Sequence, residues 1–297
     1  MKAALIHSPG GGSASEEDLE RAKSLLGAVH DLDVKIVGKG ENPASLARVA
    51  VEEGAQLLIA SGGDGTVSAV AGALVGRTEL TLGIVPRGTA NSIGGHLGVP
   101  HDLEAACKII LDGHSRVVDT ADVNGRPSLL MATIGVHAEA VTEVDPDFKK
   151  RFGAVAYLVE EVNRMLSNDL FEVTIEADGQ KISAQANSVA VANIAPPWTL
   201  LAQGNKVEHD DGQLDVTLVA IQGFAEAFLT SLHLATSAMR ELPTDRDNIG
   251  HFRTTEVRIE TKPEKRVMID GEDADVTPIT VRCIPKSLRV LVPRPVE

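Results

Sequence analysis

The sequence predicts an α/β domain built on a mostly parallel sheet, followed by a mainly antiparallel β-sandwich. Three observations carry that prediction. Across residues 2–112 short apolar runs alternate with segments of helical periodicity, the rhythm of βαβ units. Beyond about residue 117 the apolar runs crowd together and are punctuated by Asn-Gly and Asp-Gly, the dipeptides of tight hairpins. A chain of 297 residues is also long enough to fill two domains of ordinary size. The boundary falls near residues 115–120, giving units 1–117 and 118–297, with the C-terminal residues able to return to the first unit.

Ala3-Ala4-Leu5-Ile6 opens the first unit as a strand, and residues 16–29 continue as a helix that Ser13 or Ser15 can cap. Residues 34–37, 57–60 and 80–85 supply further strands. Asn42 and Pro43 stand at the cap and first turn of a helix over 43–53. Strands joined by helices run parallel, and such sheets bind ligands beyond the carboxyl ends of their strands. Two glycine-bearing loops, after Ala60 and after Val85, fall at those ends. In the second unit Asn124-Gly125 and Asp178-Gly179 tolerate the positive φ of a two-residue hairpin turn. Strands are expected over 171–177, 188–192, 214–221, 256–260, 266–269, 279–284 and 288–292, with helices over 154–166 and 223–239.

Composition narrows the partners. A formal net charge of -14 opposes binding to nucleic acid, which needs a basic surface, and opposes plain electrostatic attraction to an anionic membrane. A lipid would have to be reached through apolar contact or a local basic patch; Lys149-Lys150-Arg151 is such a run, although a solvated stretch is the plainer reading. Cys107 and Cys283 lack metal spacing and read as reduced core thiols. The N-terminus has too short an apolar run for a signal peptide, and the window 216–239 is broken by Gln222, Glu226 and His233, so no transmembrane segment is expected. A cytoplasmic location is the simplest expectation.

The stretch Ser61-Gly62-Gly63-Asp64-Gly65-Thr66 spends three glycines between a buried strand and a helix. Glycine costs backbone entropy there and packs nothing, so it requires a conformational or a functional reason. A ligand-free tight turn is one reading. The dinucleotide GxGxxG fingerprint has a different spacing, and no GK[ST] follows at the distance of a Walker loop. A phosphate cradle is the other reading, because backbone N–H groups at a helix N-terminus attract anions. Asp64 is odd in a bare anion cradle; a carboxylate beside phosphates makes sense chiefly with magnesium between them. The second loop, Pro86-Arg87-Gly88-Thr89-Ala90-Asn91, again leaves a strand and again offers glycine and threonine. Two such loops at neighbouring strand ends can hold a triphosphate from two sides.

These two loops resemble the catalytic domain of the diacylglycerol kinase family, which includes sphingosine, ceramide and bacterial lipid kinases. The likeness continues through Leu97-Gly98-Val99-Pro100, Val118-Asp119, Ile134-Gly135, Asp211-Gly212-Gln213-Leu214-Asp215 and Asp270-Gly271-Glu272, in order along the chain. GGDGT alone is shared with NAD kinases. The resemblance implies a nucleotide-binding first domain, a β-sandwich lipid domain and an active site between them, with ATP and Mg2+ required. ATP would meet Ser8, Gly62, Gly63, Asp64, Gly65, Thr66, Arg87, Gly88, Thr89 and Asn91. Asp64 and Asp119 match residues that organise magnesium through water. Asp270 matches the general base acting on a lipid hydroxyl, supported by Glu272. Asp211, with the carbonyls of Glu208 and Gln213, matches a structural metal site. The lipid would be met at a membrane surface through peripheral contact; the oligomeric state stays open, a homodimer included.

The chemistry of the residues agrees, since phosphoryl transfer needs donors for phosphate, carboxylates for magnesium and one base. Asp-Gly pairs are equally ordinary turn residues, so Asp211 and Asp270 each carry a purely conformational reading as well. Departures from many relatives are Ser8 for asparagine, Ser68-Ala69 for Asn-Glu, and Ser92 for aspartate. A soluble-substrate kinase of the NAD kinase kind and a nucleotide-binding protein without kinase activity are the alternatives. Phe224, Phe228, Leu232, Ala235 and Met239 recur at helical spacing and read as core, or as part of an acyl groove. His96, His101, His137 and His209 have no metal spacing, and Trp198 reads as a loop anchor.

Overall fold

A computed structural model describes residues 1–9, 15–135, 170–194, 209–220 and 249–295. In chain order the first elements are β1 (Lys2–His7), α1 (Glu16–Gly27), β2 (Asp31–Ile36), α2 (Pro43–Glu52), β3 (Leu57–Gly62), α3 (Asp64–Gly72), β4 (Thr81–Pro86), α4 (Ser92–His96) and α5 (Leu103–Asp112). A largely β half follows: β5 (Ser115–Val123), β6 (Arg126–Ser128), β7 (Met131–Ile134), β8 (Phe171–Ala177), β9 (Gln180–Ala186) and β10 (Ser188–Ala192). It ends with β11 (Leu214–Val219), β12 (Ile249–Thr254), β13 (Glu256–Lys262), β14 (Arg266–Ile269), β15 (Glu272–Val276) and β16 (Ile279–Leu291).

The helices begin where their chemistry places them. The Ser15 hydroxyl accepts from Asp18 N, Asn42 Oδ1 from Ala44 N ahead of Pro43, and Asp102 Oδ1 from Ala105 N. Each such cap contributes about 1 kcal/mol. β2, β1, β3 and β4 pair in that order, all parallel, so their carboxyl ends share one edge. Alternate residues of β1 face opposite layers: Ala3 and Leu5 meet Leu19, Leu26 and Cys107 of α1 and α5, whereas Ala4 and Ile6 meet Ala47 and Val67 of α2 and α3. Helices after β1 and β3 therefore lie on opposite faces. Between those two strands the winding reverses, which opens a crevice at their carboxyl ends.

The second half is an antiparallel sandwich. One sheet runs β12-β11-β10-β7-β14-β15, and the other continues the parallel sheet through β16, β13, β8 and β9. Val173, Val191, Val216, Ile259 and Val281 interdigitate between the two layers. Asn124-Gly125 and Asp178-Gly179 form two-residue hairpin turns with positive φ, joining Val123 to Arg126 and Ala177 to Gln180.

Two strands expected at 279–284 and 288–292 are one strand, β16. Its first part pairs with β13, its last part touches β4 in parallel register, and β5 pairs with it on both sides of an irregularity, at 281–284 and 288–291. The register shifts between Ile284 and Leu288, where Lys286 takes φ of 49°. A bulge twists a strand and re-aims it, and here it lets one chain segment serve both halves. The helices expected over 154–166 and 223–239, with the stripe they carry, lie outside the described residues. So do Ser13, His137, Lys149-Lys150-Arg151, Trp198 and Glu208.

Candidate active site

Strand ends and hairpin tips meet in an open cleft of about 860 Å3 at the crevice between β1 and β3. Ser8, Gly63, Gly65 and Thr66 line it from the first domain, and Asp270 and Glu272 line it from the β14–β15 turn. Gly63 occupies the N-cap of α3 and offers no side-chain acceptor, so the first N–H groups of this helix remain available to an anion. Ser8 N donates to Ser61 O at 2.9 Å, holding the end of β1 against β3.

The glycines serve a close approach between the two loops. A Cβ on Gly88 would lie 2.5 Å from the Cα of Gly63, and one on Gly62 would lie 2.5 Å from the Thr66 hydroxyl. A side chain at Gly88 would force the loops apart, and one at Gly62 would collide with the Thr66 side chain of its own loop. Asn91 completes the second loop: its Oδ1 accepts from Gly88 N at 2.8 Å and its Nδ2 donates to Gly88 O at 2.7 Å. Thr89 is exposed.

Asp64 has a structural task that spacing did not disclose. Its carboxylate accepts from Ser92 N and Ile93 N, both at 2.9 Å, and so caps the short α4 from another element. The first loop thereby holds the second. Asp119, 1% exposed, accepts from Gly212 N at 2.6 Å and Lys286 N at 2.7 Å, fastening the 211–212 turn and the β16 bulge. Each ionised carboxylate keeps lone pairs beyond these two bonds, but neither Asp64 nor Asp119 is among the residues that line the cleft, and Asp119 is buried. Among the described residues no three His, Cys, Asp or Glu side chains converge to hold a metal directly.

Arg87 lies behind the loop rather than on the cleft lining. Arg87 is 7% exposed, and its guanidinium is 3.5 Å from an Asp18 oxygen and 3.4 Å from the carbonyl of His101. Burial, and next the Arg87 charge, holds the His7 imidazole below its ordinary value, while Asp18 opposes the shift. Burial pushes the Cys107 thiol up to about 11, and burial followed by Asp119 pushes Cys283 up to about 11. Both thiols are free and poor nucleophiles.

Asp270 is a turn residue and more. With Gly271 it makes the two-residue β14–β15 turn, at φ of 51° and 89°, where Ile269 pairs with Glu272. Its carboxylate accepts from Ser128 Oγ at 2.6 Å, Leu129 N at 2.9 Å, Leu130 N at 2.9 Å and Met131 N at 3.2 Å. The Ser68 hydroxyl of α3 donates to it as well. Five donors from both domains fix the orientation of this group. Glu272 leans over the first loop, its Oε1 3.0 Å from where a Cβ on Gly65 would stand.

Several lining residues were missed from sequence, four of them informative. Arg48 on α2 and Arg126 on the β5–β6 hairpin put two cations on the cleft wall, and Gly38 and Asn42 bring in the β2–α2 loop. The strand-end rule pointed at that loop too, because β2 shares the same carboxyl edge.

The parallel sheet joined to a β-sandwich, with a glycine loop at the junction, defines the fold shared by NAD kinases and diacylglycerol kinases. Yeast NADH kinase complexed with NADH superposes with a TM-score of 0.59 at 11% identity, covering 99% of this chain and 84% of that one, a likeness of fold alone. The chain belongs to the diacylglycerol kinase catalytic-domain family. The model of that domain matches residues 2–123, and the YegS C-terminal NAD kinase beta sandwich-like domain matches residues 131–292. A diacylglycerol kinase structure from Bacillus anthracis str. Sterne has a TM-score of 0.76 at 25% identity, covering 98% of this chain and 97% of that one. Diacylglycerol kinase of Staphylococcus aureus (strain Newman) is 26% identical over 83% of this chain and 78% of its own length. The Synechocystis protein sll0036 is 36% identical over 97% of this chain and 70% of its own length. A YegS-like lipid kinase of Cronobacter sakazakii is 36% identical, but the match spans only 52% of this chain and 54% of that protein.

Proposed function

We propose that the chain transfers the γ-phosphate of ATP to a hydroxyl of diacylglycerol or a related lipid, with Asp270 as general base. The carrying observation is that one cleft is lined both by the uncapped N-terminus of α3 and by the Asp270 carboxylate. Phosphoryl transfer is mostly positioning and charge neutralisation, so a base held beside phosphate donors is what the reaction requires. The lipid hydroxyl would displace the Ser68 hydroxyl from Asp270 Oδ2, pass its proton to that oxygen and bond to the γ-phosphorus as the bond to ADP breaks. Loop N–H groups at Gly63 to Thr66 would meet the phosphates, and Arg48 and Arg126 would offset their charge. When bound, magnesium would neutralise charge on the β- and γ-phosphates; Asp64 and Asp119 lie off the cleft lining and would reach it only through water. Ser128 orients the base.

The lipid would be met at a membrane surface, and among the described residues no helix is long and apolar enough to cross one. Ala69 and Ser92, where many relatives carry acids, favour the second reading of a nucleotide-binding protein without transfer. Radiolabelled ATP offered with dioleoylglycerol in mixed micelles, and separately with NAD, decides among the readings. Label in the lipid, lost by about 10²–10⁴-fold in Asp270→Asn, is expected. Transfer to NAD, to nothing, or at an undiminished rate by the variant would refute the proposal.

A further inference from the structure

The turn that precedes β11 carries Asp211, whose match to a structural metal position implies a cation there. The structure puts a different charge on it. Asp211 Oδ1 accepts from Gln213 N at 3.0 Å, closing a local turn, and its Oδ2 forms an ion pair with Arg253 Nη2. Arg253 is placed by register: on β12 it stands directly across from Asp215 of β11, and its Nε is 3.6 Å from Asp215 Oδ1. Asp215 is 5% exposed, and the same oxygen is 2.9 Å from His251 Nε2, the next residue of β12 on that face. One guanidinium thus lies between two acids. A one-residue slip of β12 would carry it to the other face of the sheet.

A divalent cation does not fit beside it. Calcium or magnesium requires several oxygen ligands, and both Asp211 oxygens are already engaged, Oδ1 by Gln213 N and Oδ2 by the Arg253 guanidinium. Asp119, which accepts from this turn, is engaged by Gly212 N and Lys286 N. Asp210, the adjoining acid, pairs outward with Arg116 at 2.5 Å.

We propose that Arg253 takes the place of a structural divalent cation at Asp211, so that the turn is neutralised from within the chain. Gly212 of this turn donates to Asp119, so the setting of Asp119 is independent of any metal bound at Asp211. The proposal goes beyond the kinase reading and stands or falls without it, because its test reads metal content and melting rather than turnover.

The full-length protein, desalted into chelator-treated buffer, is assayed for bound metals by mass spectrometry and melted with EDTA or with millimolar Ca2+, Mg2+ or Mn2+. Well under one equivalent of any divalent metal, and a melting temperature indifferent to EDTA and to each cation, are expected. Arg253→Gln should melt about 2–4 °C lower, the range for an ion pair whose arginine side chain is 37% exposed in a chain of this size. Arg253→Lys, or a divalent cation added to Arg253→Gln, should recover most of that loss. A stoichiometric metal retained by the wild type, or an EDTA-induced fall in its melting temperature, would overturn the proposal even if Arg253→Gln failed to fold. A Gln variant as stable as wild type, or one rescued by neither lysine nor metal, would overturn it too, since Arg253 would then contribute nothing or act by packing alone.

Discussion

Alanine at Gly88 tests whether the glycines exist to bring the two loops together. Its Cβ would stand 2.5 Å from Gly63 Cα and 3.0 Å from Asn91 Oδ1, neither of which can rotate away without breaking the loop. Carbon atoms rest at about 3.5–4.0 Å, so the loops must part by about 1–1.5 Å. Overpacking of this kind costs about 1–3 kcal/mol, or roughly 3–10 °C of melting temperature for a chain this long. A displacement of about 1 Å at groups that position a reacting phosphate costs about 10²-fold in rate. Gly63→Ala is a milder case, with its Cβ 3.2 Å from Gly88 Cα, and Gly27→Ala is the control, since nothing lies within 4 Å of its Cβ. The three are compared by ATP affinity in calorimetry, kcat/KM for phosphate transfer and thermal melting. The expected order of damage is Gly88, then Gly63, with Gly27 near wild type. If Gly88→Ala kept kcat/KM within about twofold and melted as wild type, close approach of the loops would not be the reason for glycine there.

Arg48→Ala and Arg126→Ala should each raise the KM for ATP by about 5–50-fold, the loss of one charge-assisted contact, with little change in melting; an unchanged KM in both would place the phosphates elsewhere. Asp64→Ala should lose about 1–2 kcal/mol of stability by orphaning two N–H groups of α4, and Asp64→Asn, which keeps one acceptor, should lose less in urea titration. Because His7 is held below its unfolded value of 6.5, chiefly by burial, the unfolded chain takes up a proton first as pH falls. Its contribution is complete above that value and declines as pH drops toward the folded one. His30 is shifted the same way, by burial and then by the N-terminal ammonium. His7→Gln should therefore flatten the dependence of urea stability on pH between about 7 and 5; a slope unchanged from wild type would contradict the assignment.

Much of the fold was legible because its signals are local. Asn42-Pro43 opens α2 and Asp178-Gly179 turns β8 into β9, since caps and primed turns act within four residues. The strands at 171–177, 188–192 and 266–269 were read to the residue from apolar runs bounded by turn residues. β16 was not, because Pro285-Lys286-Ser287 reads as a break, and only pairing with β5 on both sides of the bulge keeps the strand continuous. Arg87 was read as a phosphate ligand from its place in the loop, but the direction of a long side chain depends on the helices packed beneath it. Asp18 and His101 draw it away from the cleft.

The candidate site divides along the same line. The glycines at 62, 63, 65 and 88 announced strand-end loops with a conformational or phosphate-binding purpose, and Asp-Gly at 270–271 announced a turn, because backbone conformation is set by neighbours in the chain; that the loops touch came only with the fold. What the aspartates hold was decided only by folding. Asp64 caps a helix 28 residues away, Asp270 gathers donors 139 to 142 residues before it and one 202 before it, and Arg253 meets Asp211 across a strand pair. A carboxylate's partners are chosen by distance in space, and that distance exists only once the two sheets have packed.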